Sequence, residues 1–196
     1  WNAPIFVSLA GIIPQLLVGN NIIWKPSEYS SLTGIKLANI FDELMLPEGT
    51  FQVVYGGKEV GRKLIEQDIN IVSLTGSIKA GKEVMKICSD ELKKVVLELG
   101  GKDPAIILED ADLDKAVREI VKSATMYTGQ VCFGVERIYC QYSIYEEFVK
   151  KCIEEVKKIK VGDPLNEEID MSPFSVKFQF DKVKESAKTR AMSGLE

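Results

Sequence analysis

A chain of 196 residues, 45% hydrophobic and 28% charged, carries enough apolar material for a buried core and has the composition of a soluble globular protein. Its formal charge of -4 and pI near 5.2 argue against a polyanion partner such as nucleic acid, and Lys157-Lys158-Ile159-Lys160 reads as one solvated helix face. The complete lack of histidine excludes Cys-His and Ser-His-Asp catalysis, so any base in this chain is a carboxylate, a lysine or water.

From Ala3 to Trp24 the chain is apolar enough to raise a membrane span, but Pro4, Pro14, Gln15, Asn20 and Asn21 interrupt it, and such breaks are costly in lipid. A buried helix followed by a short strand, Asn21 to Trp24, is expected instead, with no membrane partner. Lys25-Pro26-Ser27-Glu28 closes that strand. Ser30 or Ser31 then caps a helix on which Leu32, Ile35, Ala38, Phe41 and Met45 recur at helical spacing, and Leu46-Pro47-Glu48-Gly49 stops it. Phe51 to Tyr55 is the next strand, broken by Gly56-Gly57, and Lys58 to Gln67 a short helix. Ile69 to Thr75 is apolar and β-branched, ends in Gly76-Ser77, and leads into a helix from Ile78 to Cys88; Val95 to Leu99 is the fourth strand.

Strands alternating with helices in this way predict an α/β fold, a Rossmann-like parallel sheet with helices on both faces, over residues 1–99. Ligands of such sheets bind at the carboxyl ends of the strands, and Lys25, Glu28, Gly56, Gly76, Ser77 and Glu98 all fall at or just after those ends. Residues 100–196 restart the pattern as part of a second α/β domain. Ala105 to Leu108 is a strand, Asp112 to Tyr127 a helix, Glu136 to Gln141 a strand and Ile144 to Ile159 an amphipathic helix, followed by a polar loop and a helix from Phe178 to Ala187.

Between them lies Thr128-Gly129-Gln130-Val131-Cys132-Phe133-Gly134, a thiol set among glycines where a substrate can approach closely. The four cysteines, Cys88, Cys132, Cys140 and Cys152, form no CxxC pair and no zinc spacing, so no metal site is expected and a reducing, cytoplasmic compartment fits them. Cys88, Cys140 and Cys152 sit in regular elements and read as small buried hydrophobes. Cys132 reads either as a nucleophile or as a small core residue in a turn. Glu98 ends a strand that is apolar on both sides, which predicts a partly desolvated carboxylate suited to act as a base, or one paired with a lysine. Gly76-Ser77-Ile78-Lys79-Ala80-Gly81 follows a strand and opens a helix, so its N-H groups suit a pyrophosphate. It is not GxGxxG, and a tight turn fits the same residues. Lys25 and Glu28 suit the hydroxyls of a ribose or, equally, a surface turn.

Taken in register, Trp1-Asn2-Ala3-Pro4, Lys25-Pro26-Ser27-Glu28, Leu74-Thr75-Gly76-Ser77 with Gly81, Leu97-Glu98-Leu99-Gly100-Gly101-Lys102 and Gly129-Gln130-Val131-Cys132 resemble the aldehyde dehydrogenase superfamily in order and spacing. The resemblance implies oxidation of a small aldehyde to an acid with NAD(P) through a covalent thioester. In that scheme Cys132 attacks the carbonyl, the Asn2 amide and the Cys132 backbone N-H hold the oxyanion, and Glu98 activates the hydrolytic water. Lys25 and Glu28 bind the adenosine ribose, Gly76, Ser77 and Gly81 lie near the phosphates, and Trp1, Ser27, Gly56 and Leu99 complete the implied cofactor set.

A carboxylate at Glu28 favours NAD over NADP, because it accepts from ribose hydroxyls and repels a 2′-phosphate. The presence of Glu98 favours hydrolysis over acyl transfer to coenzyme A. Two alternatives remain open: a non-catalytic nucleotide-binding fragment of the same fold, and a coenzyme A-acylating semialdehyde dehydrogenase. The family's chains are more than twice this length and carry a later Glu-Ile-Phe-Gly-Pro-like segment and oligomerisation segments with no counterpart here. A homo-oligomeric parent and a poorly active isolated stretch are therefore expected. Locally, Tyr127-Thr128 stands where the family often has asparagine, and Met171-Ser172-Pro173-Phe174 where a glycine-proline is more usual.

Overall fold

The computed structural model describes residues 1–192. Its regular part is three successive strand-helix-strand units, each closing a two-stranded parallel sheet. Parallel pairing follows from the connections, because a helix inserted between two strands returns the chain to the same end of the sheet. The chain divides into two compact units, with the boundary between Gly100 and Gly101.

In the first unit, helix α1 (Phe6–Leu17) is largely apolar and contains Pro14, but it buries Ile12 alone and leaves Phe6, Ile13 and Leu17 exposed, which corrects the expected buried helix. Neither it nor any other helix among the described residues is long and apolar enough to cross a membrane. Strand β1 (Ile22–Trp24) pairs with β2 (Phe51–Val53), Ile22 opposite Phe51 and Trp24 opposite Val53, through helix α2 (Ser31–Glu43). The buried face of α2 is Gly34, Leu37 and Phe41, and Phe41 stacks on Phe51 of β2 at 4.2 Å between ring centroids. That corrects the expected stripe: Leu32, Ile35 and Met45 are exposed. The helix begins at Ser31 and turns its small Gly34 toward the closely packed Pro26 ring, which rotates the apolar face by about one residue.

Helix α3 (Lys58–Ile65) leads to β3 (Ile71–Gly76), which pairs in register with β4 (Lys94–Leu99) through helix α4 (Ile78–Ser89). Val72, Val84 and Cys88 form the local core, with Ile65, Ile69, Leu74, Val95 and Leu97 against it. Lys93, whose side chain is only 5% exposed, donates to the Ile65 and Gln67 carbonyls and pairs with Glu91. One ammonium thus satisfies the carbonyls left open where α3 ends, and ties that end to the start of β4.

In the second unit β5 (Asp103–Ile107) pairs with β6 (Val135–Cys140) through helix α5 (Leu113–Thr125). Helices α6 (Tyr145–Val156) and α7 (Lys177–Met192) follow. Asp112 caps α5 by accepting from the Lys115 N-H. Its core is Ile107, Val117, Ile120, Val121 and Phe148, so α5 and α6 cover the same part of the β5–β6 pair. Between them Lys151 of α6 donates to Asp114 of α5; this bond holds the exposed Asp114 carboxyl below the usual carboxylate range. Cys88 is 1% exposed and burial pushes its thiol pKa up, whereas Cys140 and Cys152 are half-buried at the core edge. Helix α5 ends two residues before the predicted Tyr127. Met126 is extended, and Tyr127 (φ 48°) and Thr128 (φ 63°) fall in the left-handed region.

Candidate active site

The carboxyl ends of β1 and β2 gather one cluster. The chain leaves β1 through Lys25 and buried Pro26, and Ser27 accepts from the Tyr29 N-H to open a short turn holding Glu28. Half-buried Lys25 donates to the Gly56 carbonyl at 2.7 Å and the Pro26 carbonyl at 3.1 Å, and its ammonium lies 3.7 Å from Glu28. Lys25 is thereby fixed across the two strand ends, which a simple surface turn would not require. Gly56 (φ 150°) has a conformation and a neighbour that only glycine tolerates, since a Cβ there would meet Val60 Cγ2 at 2.4 Å. Trp1 is half-buried and close enough to Glu28 to interact with it, so Trp1 joins the same cluster. Asn2 is half-buried immediately ahead of α1, whose first turn is set by the Val7 N-H bonding to the Ala3 carbonyl.

The ends of β3 and β4 gather a second cluster, with Gly76 opposite Leu99 and Thr75 opposite Glu98. Ser77 caps α4 through its hydroxyl, which accepts from the Ala80 N-H at 3.1 Å. The remaining first-turn N-H groups of a helix lack intrahelical partners, and here that turn is exposed. Buried Gly81 lets α4 press onto the strand end, because a Cβ there would come within 2.8 Å of Leu99 Cδ1. Glu98 is exposed, which corrects the expected desolvation. Strand β4 alternates in burial: Val95, Leu97 and Leu99 are half-buried, while Lys94, Val96 and Glu98 point away from the α4 side. An apolar flank in sequence therefore placed Val96, not only Glu98, in the open.

In the second unit the thiol lies at the opposite end of its strand pair. Cys132 precedes β6, and a Cβ on Gly101, which precedes β5, would come within 3.0 Å of the Cys132 carbonyl oxygen. The strand-end rule that located the first two clusters does not find this one. Cys132 is free and exposed, so the small-core-residue alternative is overturned. Its neighbours Val131 and Phe133 are half-buried and exposed. The loop before it is built from Tyr127, Thr128 and Gly129, all with positive φ. The Thr128 hydroxyl donates to the Ser172 carbonyl at 2.6 Å. The Gln130 side chain donates to the Tyr127 carbonyl at 2.8 Å and accepts from the Ser175 N-H at 3.2 Å. Thr128 and Gln130 were legible only as part of a motif; their cross-loop bonds had no sequence signal. Among the described residues no group of His, Cys, Asp or Glu could hold a metal ion.

The model of the aldehyde dehydrogenase family matches residues 1–196. A betaine aldehyde dehydrogenase of Mesorhizobium japonicum is 38% identical over 184 residues, which cover 93% of this chain and 38% of that protein. The lactaldehyde dehydrogenase of Escherichia coli K12 is 43% identical over 176 residues, covering 88% of this chain and 37% of that one. Among solved structures, betaine aldehyde dehydrogenase from Staphylococcus aureus in complex with NAD+ superposes with a TM-score of 0.96 at 33% identity, over 99% of this chain and 39% of its own. The chain thus spans under two fifths of the length of these relatives.

Proposed function

The chain belongs to the aldehyde dehydrogenase family, and on that premise we propose that it carries the nucleotide-binding and nucleophile-bearing parts of an enzyme that oxidises a small aldehyde to a carboxylic acid with NAD. The observation that carries this is the exposed free thiol of Cys132 on a loop fixed by side-chain bonds from both sides of the turn.

Cys132, as its thiolate, forms a bond from Sγ to the aldehyde carbon while the carbonyl π electrons move to oxygen. The resulting oxyanion accepts from the Asn2 side-chain amide and the Cys132 backbone N-H; one such donor is typically worth about a hundredfold or more in rate. NAD, when bound, supplies the hydride acceptor that turns this adduct into a thioester. Glu98 takes a proton from the water that attacks the thioester, releasing the acid and returning the thiol. Its exposure at the end of β4 leaves it open to that water.

The two strand-end clusters fit the cofactor chemically. Glu28 and the fixed Lys25 suit ribose hydroxyls, with Trp1, Ser27 and Gly56 around them. The exposed first turn of α4, with Gly76, Ser77 and Gly81 beside Leu99, suits a pyrophosphate at a helix N-terminus. The Glu28 carboxylate repels a 2′-phosphate, which favours NAD over NADP.

Hydrolysis is tested with Glu98→Gln in the full-length protein containing this sequence. The variant is expected to release a first equivalent of NADH and then turn over about a hundredfold or more slower than the unmodified protein. NADH formation that requires added coenzyme A and yields acyl-coenzyme A in place of the acid would assign an acyl-transferring reaction instead, and steady turnover unchanged by Glu98→Gln would remove Glu98 as the base.

A further inference from the structure

The geometry points to Gln130 and Thr128 as positioning residues for Cys132: together they staple the turn that precedes the nucleophile to the segment from Ser172 to Ser175. The inference rests on the aldehyde-oxidation reading above and assigns a role to the bonds that hold the same loop. Tyr127, Thr128 and Gly129 form a run of left-handed residues, a conformation that is strained for side chains other than glycine. A strained turn persists only where its surroundings hold it. Two side chains supply the hold. The Thr128 hydroxyl donates to the Ser172 carbonyl, which pins the middle of the run. Gln130 spans the end of the turn: its Nε2 donates to the Tyr127 carbonyl, closing the turn on itself, and its Oε1 accepts from the Ser175 N-H.

The anchor at the far side is itself fixed. Met171 pairs with Val161 as an isolated parallel bridge, and Val176, one residue beyond Ser175, is buried. The staple therefore joins a strained turn to a braced one, two residues before Cys132. What it fixes is the backbone path through Gln130 and Val131, and with it both Cys132 Sγ and the Cys132 N-H. Neither Gln130 nor Thr128 is assigned contact with substrate or cofactor. Because the staple consists of neutral hydrogen bonds, losing it leaves the charge at the site unchanged and alters placement alone. This separates its role from that of Glu98.

The test uses the full-length protein containing this sequence and three variants, Gln130→Ala, Thr128→Val and Thr128→Ser. Four quantities are measured: kcat and KM for an aldehyde, the thermal midpoint, and the rate at which iodoacetamide labels Cys132, located by peptide mass spectrometry with Cys140 as internal reference. Removing either staple bond is expected to lower kcat by roughly ten- to a hundredfold, as misplacement of about 1 Å does, while KM stays within about twofold. Labelling of Cys132 is expected to fall on the order of tenfold with the Cys140 rate unchanged, and Thr128→Ser to restore both values. Losses of kcat that track the thermal midpoint, with Cys132 and Cys140 labelling altered together, would reduce the staple to a structural role and overturn the assignment. If the unmodified protein oxidises no aldehyde, the reaction assignment fails. The staple is then judged on labelling alone: a fall confined to Cys132 supports it and an unchanged rate overturns it.

Discussion

Cys88 and Cys132 carry the same side chain in opposite settings, and the difference lies in what each neighbourhood does to a thiol. Cys88 is enclosed by Val72 and Val84 and held in its neutral form by burial, while Cys132 stands exposed on a loop between glycines. The glycine flank of Cys132 was visible in the sequence; the strain that comes with the loop was not. Tyr127 is the clearest case, because its aromatic side chain gives no hint of a left-handed backbone, and only the turn geometry imposes φ 48°. Asparagine accepts that conformation more readily through its short polar side chain. Tyr127→Asn is therefore expected to raise stability by about 1 kcal/mol in urea unfolding, since the Tyr127 carbonyl that Gln130 bonds is backbone and is kept. A loss of stability would show that the exposed tyrosine ring contributes more than the strain it carries.

At the scale of elements, every strand and helix named from periodicity is present, with ends shifted by a few residues. Apolar β-branched runs such as Ile71 to Thr75 and capped amphipathic segments such as Asp112 to Thr125 announce themselves, because burial and capping act on neighbouring residues. Which stripe faces the core was less legible. Helix α2 carries apolar residues on two overlapping stripes, and the one that wins is chosen by Gly34 fitting against Pro26, a contact between distant positions. The Lys93 staple across α3 and β4 is likewise tertiary and leaves no local trace. In the second unit the packing load falls on Phe148, 4% exposed on α6 among Ile107, Val117, Ile120 and Val121. Phe148→Ala is expected to destabilise that unit by about 3–5 kcal/mol through the lost transfer energy and the cavity left behind. At a slope of roughly 1–3 kcal/mol/M a loss of that size lowers the urea midpoint by about 1 M or more, and an unchanged midpoint would mean that α6 does not hold the core as described.

At the scale of the molecule, the chain is a succession of three strand-helix-strand units, and two of them gather sequence motifs at their strand carboxyl ends. Those clusters were legible because the strand-end rule needs only the order of elements. Lys25 with Glu28 and Gly56, and Gly76 with Ser77, Gly81 and Leu99, follow it. The Cys132 loop does not, since it precedes β6 and lies beside Gly101 ahead of β5, and it was found from its glycine-flanked thiol rather than from topology. The expected desolvation of Glu98 failed for a related reason: an apolar run says which residues a strand carries but not which of its faces is covered.

The proposal on which the other assignments depend is Cys132 as the nucleophile of an aldehyde-oxidising, NAD-reducing reaction. It is tested most directly by NADH formation from a panel of short, long and aromatic aldehydes, comparing the full-length protein containing this sequence with its Cys132→Ala variant. Aldehyde-dependent NADH formation is expected in the first and its loss by at least about a thousandfold in the second, in a protein that still folds and still binds NAD. NADH formation that survives the substitution would contradict it.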